Sequence, residues 1–236
     1  AALILFHFAP ETQGYYYTFW SIIALQMLFE LSLPGVILTV ASHEWEKLTQ
    51  SSDGTIGGNE RALSRLQSLA RKSLAIYGGA ALLCLVVIGV GGFAFFAIDD
   101  PSNHHGWQGP WIALVILSSL AFWLSPLLSL LEGCNQVQQV YRFQFSRSVV
   151  GNLVVWCAIP LGLGLWIPAI LTLVRLIMEG GFLGIANRRL FSQLLARPRG
   201  EALHWNREVW PFQWRTALKS VGYYCSRHLL TPVVFH

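Results

Sequence analysis

The sequence predicts an all-α protein: a polytopic transmembrane helical bundle of about six membrane helices, with partial helices at both ends. Three observations carry that class. Only 12% of the 236 residues are charged and 54% are hydrophobic, whereas a soluble domain carries about 25% charged residues. The apolar residues come in runs close to the ~20 that an α-helix needs to cross a bilayer. The connections between those runs alternate between Lys/Arg-rich and Lys/Arg-free. A mean hydropathy of +0.49 argues against an ordinary cytosolic enzyme, and four cysteines are too few for a disulfide scaffold.

Taken in order, Ala1–Ala9 is a fragment of an apolar run, spanning about 13 Å at 1.5 Å per residue. It lacks the basic flank of a signal peptide, and the chain has no starting Met. We expect a piece of a longer protein that begins inside its first membrane helix and ends inside its last. Tyr17–Ser42 is the next run, and Pro34 is expected to kink it by removing one backbone donor. Ser51–Gly58 is Gly/Ser-rich and reads as a flexible turn. Asn59–Lys72 reads as a surface helix in the headgroup layer, with Leu63, Leu66, Leu69 and Ala70 on one face and Arg61, Arg65, Ser68 and Lys72 on the other.

Ser73–Ile98 is a run without charge. Trp111–Leu131 follows, then Val149–Leu165, then Trp166–Ala186, which is interrupted by Arg175 and Glu179. Arg188–Leu203 is a basic linker broken by Pro198 and Gly200. The final stretch, about Ala217–His236, is apolar but carries Arg227 and His228. This organisation divides the chain into a first transmembrane lobe (1–190), a cytoplasmic linker (191–212) and the start of a second lobe (213–236).

Orientation follows from the basic residues, which concentrate in cytoplasmic loops. Fourteen of the 16 Lys and Arg residues fall in the alternate segments His43–Lys72, Glu132–Ser148 and Asn187–Lys219. Those segments are therefore expected to be cytoplasmic. The net charge of +4 is explained by that rule, and no nucleic-acid partner is implied. Tyr15, Tyr16, Tyr17, Trp20, Trp107 and Trp111 sit where an outer aromatic belt is expected, and Trp205, Trp210 and Trp214 beside the cytoplasmic one.

Soluble catalytic signatures are absent. There is no GxxxxGK[ST] and no HExxH, and Gly89-Val90-Gly91-Gly92 is mid-membrane packing glycine. His104 and His105 lie beside Asp99 and Asp100, but adjacent histidines do not readily share one ion. The informative residues are polar groups inside the runs. A charge at the centre of a membrane helix costs about 2.5–3.5 kcal/mol on insertion scales, so function is the default reading. Glu30 lies near the middle of its run, with Gln26 one turn before it. Arg175 and Glu179, at i,i+4, share a face with Thr172. Ser118, Ser125, Ser129 and Glu132 share another, and Asn152 adds a polar group to the next helix. Together they imply one wet interior. The alternatives are that Arg175 and Glu179 neutralise each other locally and that the serine face is close packing.

Several segments then match a known family in order. GYYYTFWSIIALQMLFELSL (Gly14–Leu33) resembles the second helix of bacterial O-antigen-type polysaccharide flippases, in the multidrug/oligosaccharidyl-lipid/polysaccharide exporter superfamily. ASHEWEKL (Ala41–Leu48) resembles their first cytoplasmic turn, LEGCNQV (Leu131–Val137) the end of their fourth helix, and WNREVWPFQWRTAL (Trp205–Leu218) the start of their seventh, with LLTPVVF (Leu229–Phe235) continuing it. Ser220–His228 departs from the pattern.

The resemblance implies two six-helix lobes around a cavity. It also implies no covalent chemistry and no cofactor beyond a coupling proton or sodium ion, with location in the bacterial inner membrane. The implied cargo is an isoprenoid-pyrophosphate-linked oligosaccharide, moved by alternating access. It places Arg175 at the pyrophosphate, with Glu179, Glu30, Gln26 and Thr172 lining the cavity and Glu30 able to carry the coupling ion. A multidrug or peptidoglycan-precursor exporter on the same scaffold, or a membrane transferase acting on lipid-linked sugars, remains the alternative.

Overall fold

A computed structural model describes residues 8–30, 32–50, 55–100, 104–198, 200–211 and 213–218. The described residues are overwhelmingly helical, and all but one small hairpin of the regular structure is helix. The apolar content therefore builds an all-α molecule. Residues 219–236, which hold Arg227, His228 and most of the expected second-lobe start, lie outside the described residues, as do residues 1–7.

The first long element is broken. Pro10 opens α1 (Pro10–Ile23), where its missing N–H costs nothing. A 3₁₀ turn (Ala24–Gln26) and a single helical turn, α2 (Met27–Glu30), follow. The chain then resumes as α3 (Leu33–Trp45), preceded by Ser32 in the left-handed region at φ 60°. The cause is chemical. Pro34 has no N–H, so the Glu30 carbonyl has no helical donor four residues on. The interruption expected at Pro34 is thus a full break, located at Ser32.

Of the stretch Ser51–Gly58, read in the sequence as a flexible turn, residues Ile56–Gly58 form a strand. Leu48–Gln50 (β1) and Ile56–Gly58 (β2) pair antiparallel, with Leu48 opposite Gly58 and Gln50 opposite Ile56. Gly58, at φ 110°, stands where a Cβ would meet the Lys47 carbonyl at 3.0 Å, so glycine allows the close approach at the open end of the hairpin, where it leads into the next helix. Residues 51–54 lie outside the described residues.

The expected surface helix is likewise not separate. Asn59 caps α4 (Glu60–Asp99) by accepting from Arg61 N at 2.9 Å and Ala62 N at 3.4 Å, and the helix then runs unbroken for 40 residues. At ~1.5 Å per residue that is about 60 Å, twice a ~30 Å hydrocarbon core. Its first turns therefore stand beyond the apolar span. One face is buried throughout: Leu66, Leu69, Ala70, Ser73, Tyr77, Ala81, Cys84, Ile88, Gly92 and Phe96 recur every three or four residues. Ser68 falls on the buried side rather than the solvent side. Leu82, Val86, Val90 and Ile98 are exposed; an apolar outer face is expected of a helix that lipid surrounds.

Against α4 packs α5 (Gln108–Gly133). Tryptophans fit into glycine gaps at both ends of this seam. The Trp111 indole lies over Gly92 and donates to the Gly89 carbonyl at 3.3 Å. Trp123 Nε1 lies 3.2 Å from where a Gly78 Cβ would be and donates to the Leu74 carbonyl at 3.1 Å. At the opposite end from Trp123, Phe19, Phe96, Trp107 and Trp111 form one aromatic cluster, with neighbouring ring centroids 5.1–5.5 Å apart.

Next comes α6 (Val137–Ala158). The sequence reading began this helix at Val149 and left Arg142 and Arg147 in a cytoplasmic connection. Both lie on the helix, Arg147 ten residues from its start. The turn that follows carries Gly162 at φ 69° and Gly164 at φ 49°, backbone angles that glycine adopts without strain. A 3₁₀ turn (Gly164–Trp166) leads into α7 (Ile167–Gly181), which continues as a π-helical turn over Phe182–Ala186. A short helix, α8 (Arg188–Leu194), opens the linker, which ends in a second π turn, Trp205–Val209.

Among the described residues, three helices are long and apolar enough to cross a membrane: Glu60–Asp99, Gln108–Gly133 and Gly164–Ala186. Residues 10–45 are not among them because the break leaves only short pieces. Nor is α6, which carries Gln138, Gln139, Arg142, Gln144, Arg147 and Asn152.

The loop between α4 and α5 is pinned by Asp100. Its Oδ1 accepts from His104 N and its Oδ2 from His105 N, both at 3.1 Å, and His105 Nδ1 stands 3.0 Å from Oδ2. Burial raises the Asp100 carboxyl, but these donors outweigh it and bring the group down to about 2. A carboxylate depressed in the folded state stabilises above its ordinary value of 3.8, and that contribution is lost as pH falls through about 2. The protection of the His104 and His105 amides, measured by hydrogen–deuterium exchange against the intrinsic rate at each pH, is expected to be high at pH 5 and to fall as pH drops through about 2. Asp100→Asn should show low protection at both.

Candidate functional site

Five residues were expected to line a cavity: Gln26, Glu30, Thr172, Arg175 and Glu179. The structure sorts four of them onto two seams and sets Thr172 aside. Thr172 is buried and its Oγ1 donates to the Pro168 carbonyl of its own helix at 2.8 Å, so its hydroxyl is used within α7.

The first seam lies between the broken helix and α4/α5. Gln26 Nε2 donates to Ser118 Oγ at 3.2 Å, and Ser118 donates to the Val115 carbonyl at 3.1 Å. Glu30, one turn on, ends α2 at the break. The Tyr77 phenol neighbours both the Glu30 carboxylate and the Ser125 hydroxyl. Tyr77 and Ser125 approach each other, but among the described residues neither hydroxyl, nor the buried Ser73 hydroxyl one turn from Tyr77, has a partner in good hydrogen-bond geometry. A carboxylate at a helix break thus sits near buried hydroxyls with spare hydrogen-bonding capacity. Discontinuous membrane helices place their coupling ions in such surroundings.

The second seam is α6 against α7. Glu179 is 3% exposed, and its partner is not Arg175. Arg147 Nη1 donates to Glu179 Oε2 at 3.1 Å. The local i,i+4 pair suggested by spacing is therefore replaced by one between helices. Arg175 lies against Gly151, where an added Cβ would meet Arg175 Nε at 3.5 Å and Leu171 Cδ1 at 3.0 Å. It makes no ion pair or hydrogen bond among the described residues. Arg147 and Tyr16 are its electrostatic neighbours. Phe143 stacks on Phe182 at 4.3 Å with ring planes 4° apart, and the Arg147 guanidinium stands 5.8 Å from the Phe143 centroid. The seam holds two guanidinium groups, of which only Arg147 is paired with the one carboxylate, so it carries a net positive charge.

Sequence reasoning missed Arg147, Gly151 and Tyr77. A signal for the first two was present: Arg147 and Gly151 are spaced i,i+4, as Arg175 and Glu179 are, so each pair presents one helix face to the other. The serine face is used in part, through Ser118 and through Glu132, which accepts from Gln144 Nε2 at 3.3 Å. Among the described residues no group of three His, Cys, Asp or Glu side chains is placed to hold a metal ion. Cys84 and Cys134 are buried and Cys157 is exposed, all as free thiols. No family model, curated protein or solved structure matches this chain.

Proposed function

We propose that this chain belongs to an exporter of the O-antigen flippase type. It moves an anionic lipid-linked oligosaccharide, joined to an isoprenoid through a diphosphate, across the bacterial inner membrane by alternating access, with its basic connections in the cytoplasm and no covalent chemistry. The residues 10–45, α4, α5, α6 and the helix 164–186 supply five of the six helices of its first lobe.

One observation carries the anionic cargo. Glu179 is satisfied by Arg147, which leaves Arg175 in a membrane-spanning helix without a carboxylate. Such a charge is expensive in the bilayer, and a diphosphate offers paired oxygens to its bidentate fork. This positive seam disfavours a cationic drug as cargo. On the other seam Glu30, beside Tyr77 and Ser125, is suited to take the coupling proton or sodium ion.

The test is reconstitution of the full-length protein into liposomes carrying a fluorescent diphosphate-linked isoprenoid oligosaccharide in the inner leaflet. Glycan exposed to an external glycosidase should rise with time. No rise above protein-free liposomes would refute the reading.

A further inference from the structure

The linker is fastened to the first bundle by contacts that no loop needs for chain connection alone. At its start, Gln67 Nε2 on α4 donates to the Gln193 carbonyl, and Gln193 Oε1 accepts from Ile56 N of the hairpin, each at 2.9 Å. Further along, Gly200 N donates to Ser64 Oγ at 3.0 Å, and Lys72 Nζ donates to the Leu203 carbonyl at 2.9 Å. At its end sits a three-charge clip. Arg65 Nε binds Glu44 Oε1 of α3 at 2.8 Å, while its two Nη groups hold the Glu208 carboxylate. Glu208 Oε1 also accepts from His204 N at 3.1 Å, which closes the turn on itself. Leu194, Leu203 and Val209 are each 1% exposed or less and join the main hydrophobic core.

We infer that residues 200–209, with Gln193 and Leu194 before them, form a strap that stays fastened to the first bundle, so that the moving joint of the chain lies beyond Val209. The arm that reaches the linker, Arg65–Glu208, is partly exposed, and such a pair contributes too little by itself to hold a strap. Burying Leu203 and Val209 removes two large apolar side chains from water and supplies the main hold, and the polar contacts then set the register. Two consequences follow. The lobe boundary moves from somewhere within 191–212 to the helical residues 210, 211 and 213–218. Those residues also rise from a fixed base towards the break in the second helix, where Ser32 Oγ meets the Thr216 carbonyl at 3.5 Å. The placement of the joint rests on the two-lobe transport reading; the fastening does not.

The geometry offers a direct test. A Cβ at Gly200 would lie 3.5 Å from the Ser64 Cβ, within the range that a disulfide spans. Ser64→Cys with Gly200→Cys, in the full-length protein with its native cysteines replaced, is expected to cross-link almost completely in membranes, with or without cargo. Adding Arg65→Ala should slow the cross-linking several-fold. The locked protein should export within about twofold of its reduced form. Partial cross-linking that depends on cargo, or export lost on oxidation and restored by reductant, would overturn the inference. If the reduced protein exports nothing, the transport reading fails, and the extent of cross-linking still decides whether the strap is fastened.

Discussion

Arg175→Leu, made in the full-length protein, is expected to reach the membrane in normal amount and to export at background. The change leaves the Arg147–Glu179 pair intact, so no buried charge is stranded and the α6–α7 seam keeps its register. What is lost is a fork that no protein carboxylate occupies. Two charge-assisted hydrogen bonds contribute about 1.5–3 kcal/mol each, which is a loss of roughly 100-fold or more. Arg175→Lys should keep partial export, because it retains the charge without the planar fork. Arg147→Leu provides the contrast. It removes the partner of a carboxylate that is 3% exposed, and breaking a buried pair costs about 3–5 kcal/mol. It should fail in expression rather than in transport. Export measured per molecule in the membrane separates the two. Normal export by Arg175→Leu would reduce that residue to packing. The joint replacement of Arg175 and Glu179 by Leu, which spacing alone suggests as the test, is the poorer experiment, because it strands Arg147.

Gly133→Ala is expected to destabilise the bundle by roughly 1–3 kcal/mol, the usual cost of overpacking. Its new Cβ would lie 2.5 Å from the Ala41 Cβ, 2.8 Å from the Leu38 carbonyl oxygen and 3.3 Å from Ser42 N. Backbone cannot rotate away as a flexible side chain can, so α3 and α5 must separate where they cross. Gly91→Ala has nothing within 4 Å of its Cβ and should be neutral or slightly stabilising, since alanine is favoured over glycine in a helix by about 0.5–1 kcal/mol. Thermal unfolding in detergent, followed by size-exclusion fluorescence, should show a clear drop for the first variant and none for the second. Equal midpoints would mean that the α3–α5 contact is not a close one.

A fastened linker also has a pH signature. The hydrogen bonds from Arg65 hold the Glu208 carboxylate below its ordinary value of 4.5, against a smaller upward push from burial. Its contribution to docking is complete above that ordinary value and disappears as pH falls through the lower, folded one. The clip is thus closed throughout the physiological range.

Much of this molecule was legible from local information. Runs such as Ser73–Ile98 and Trp111–Leu131 emerge as helices because their length and hydropathy leave a bilayer-spanning helix as the way to satisfy every backbone group. The interruption after Glu30 follows from the chemistry of Pro34. The turn before Trp166 follows from its glycines. These are properties of one segment at a time, so a segment's own residues determine them.

Other features depend on how two segments are placed, and there the tertiary structure decided. The i,i+4 spacing of Arg175 and Glu179 puts them on one face but does not say which will bond. Arg147 takes Glu179 because α6 and α7 meet with Gly151 opposite Arg175, and that register is set by packing between helices. Asn59–Lys72 is amphipathic either as a surface helix or as the base of a longer one. The cap at Asn59 and the docking of the linker onto Ser64, Arg65 and Gln67 select the longer helix. Composition and periodicity determined the elements and their class. The partner of each buried charge was decided by a neighbouring helix, because charge pairing acts over a few ångströms between residues distant in sequence, and hydropathy carries no record of that distance.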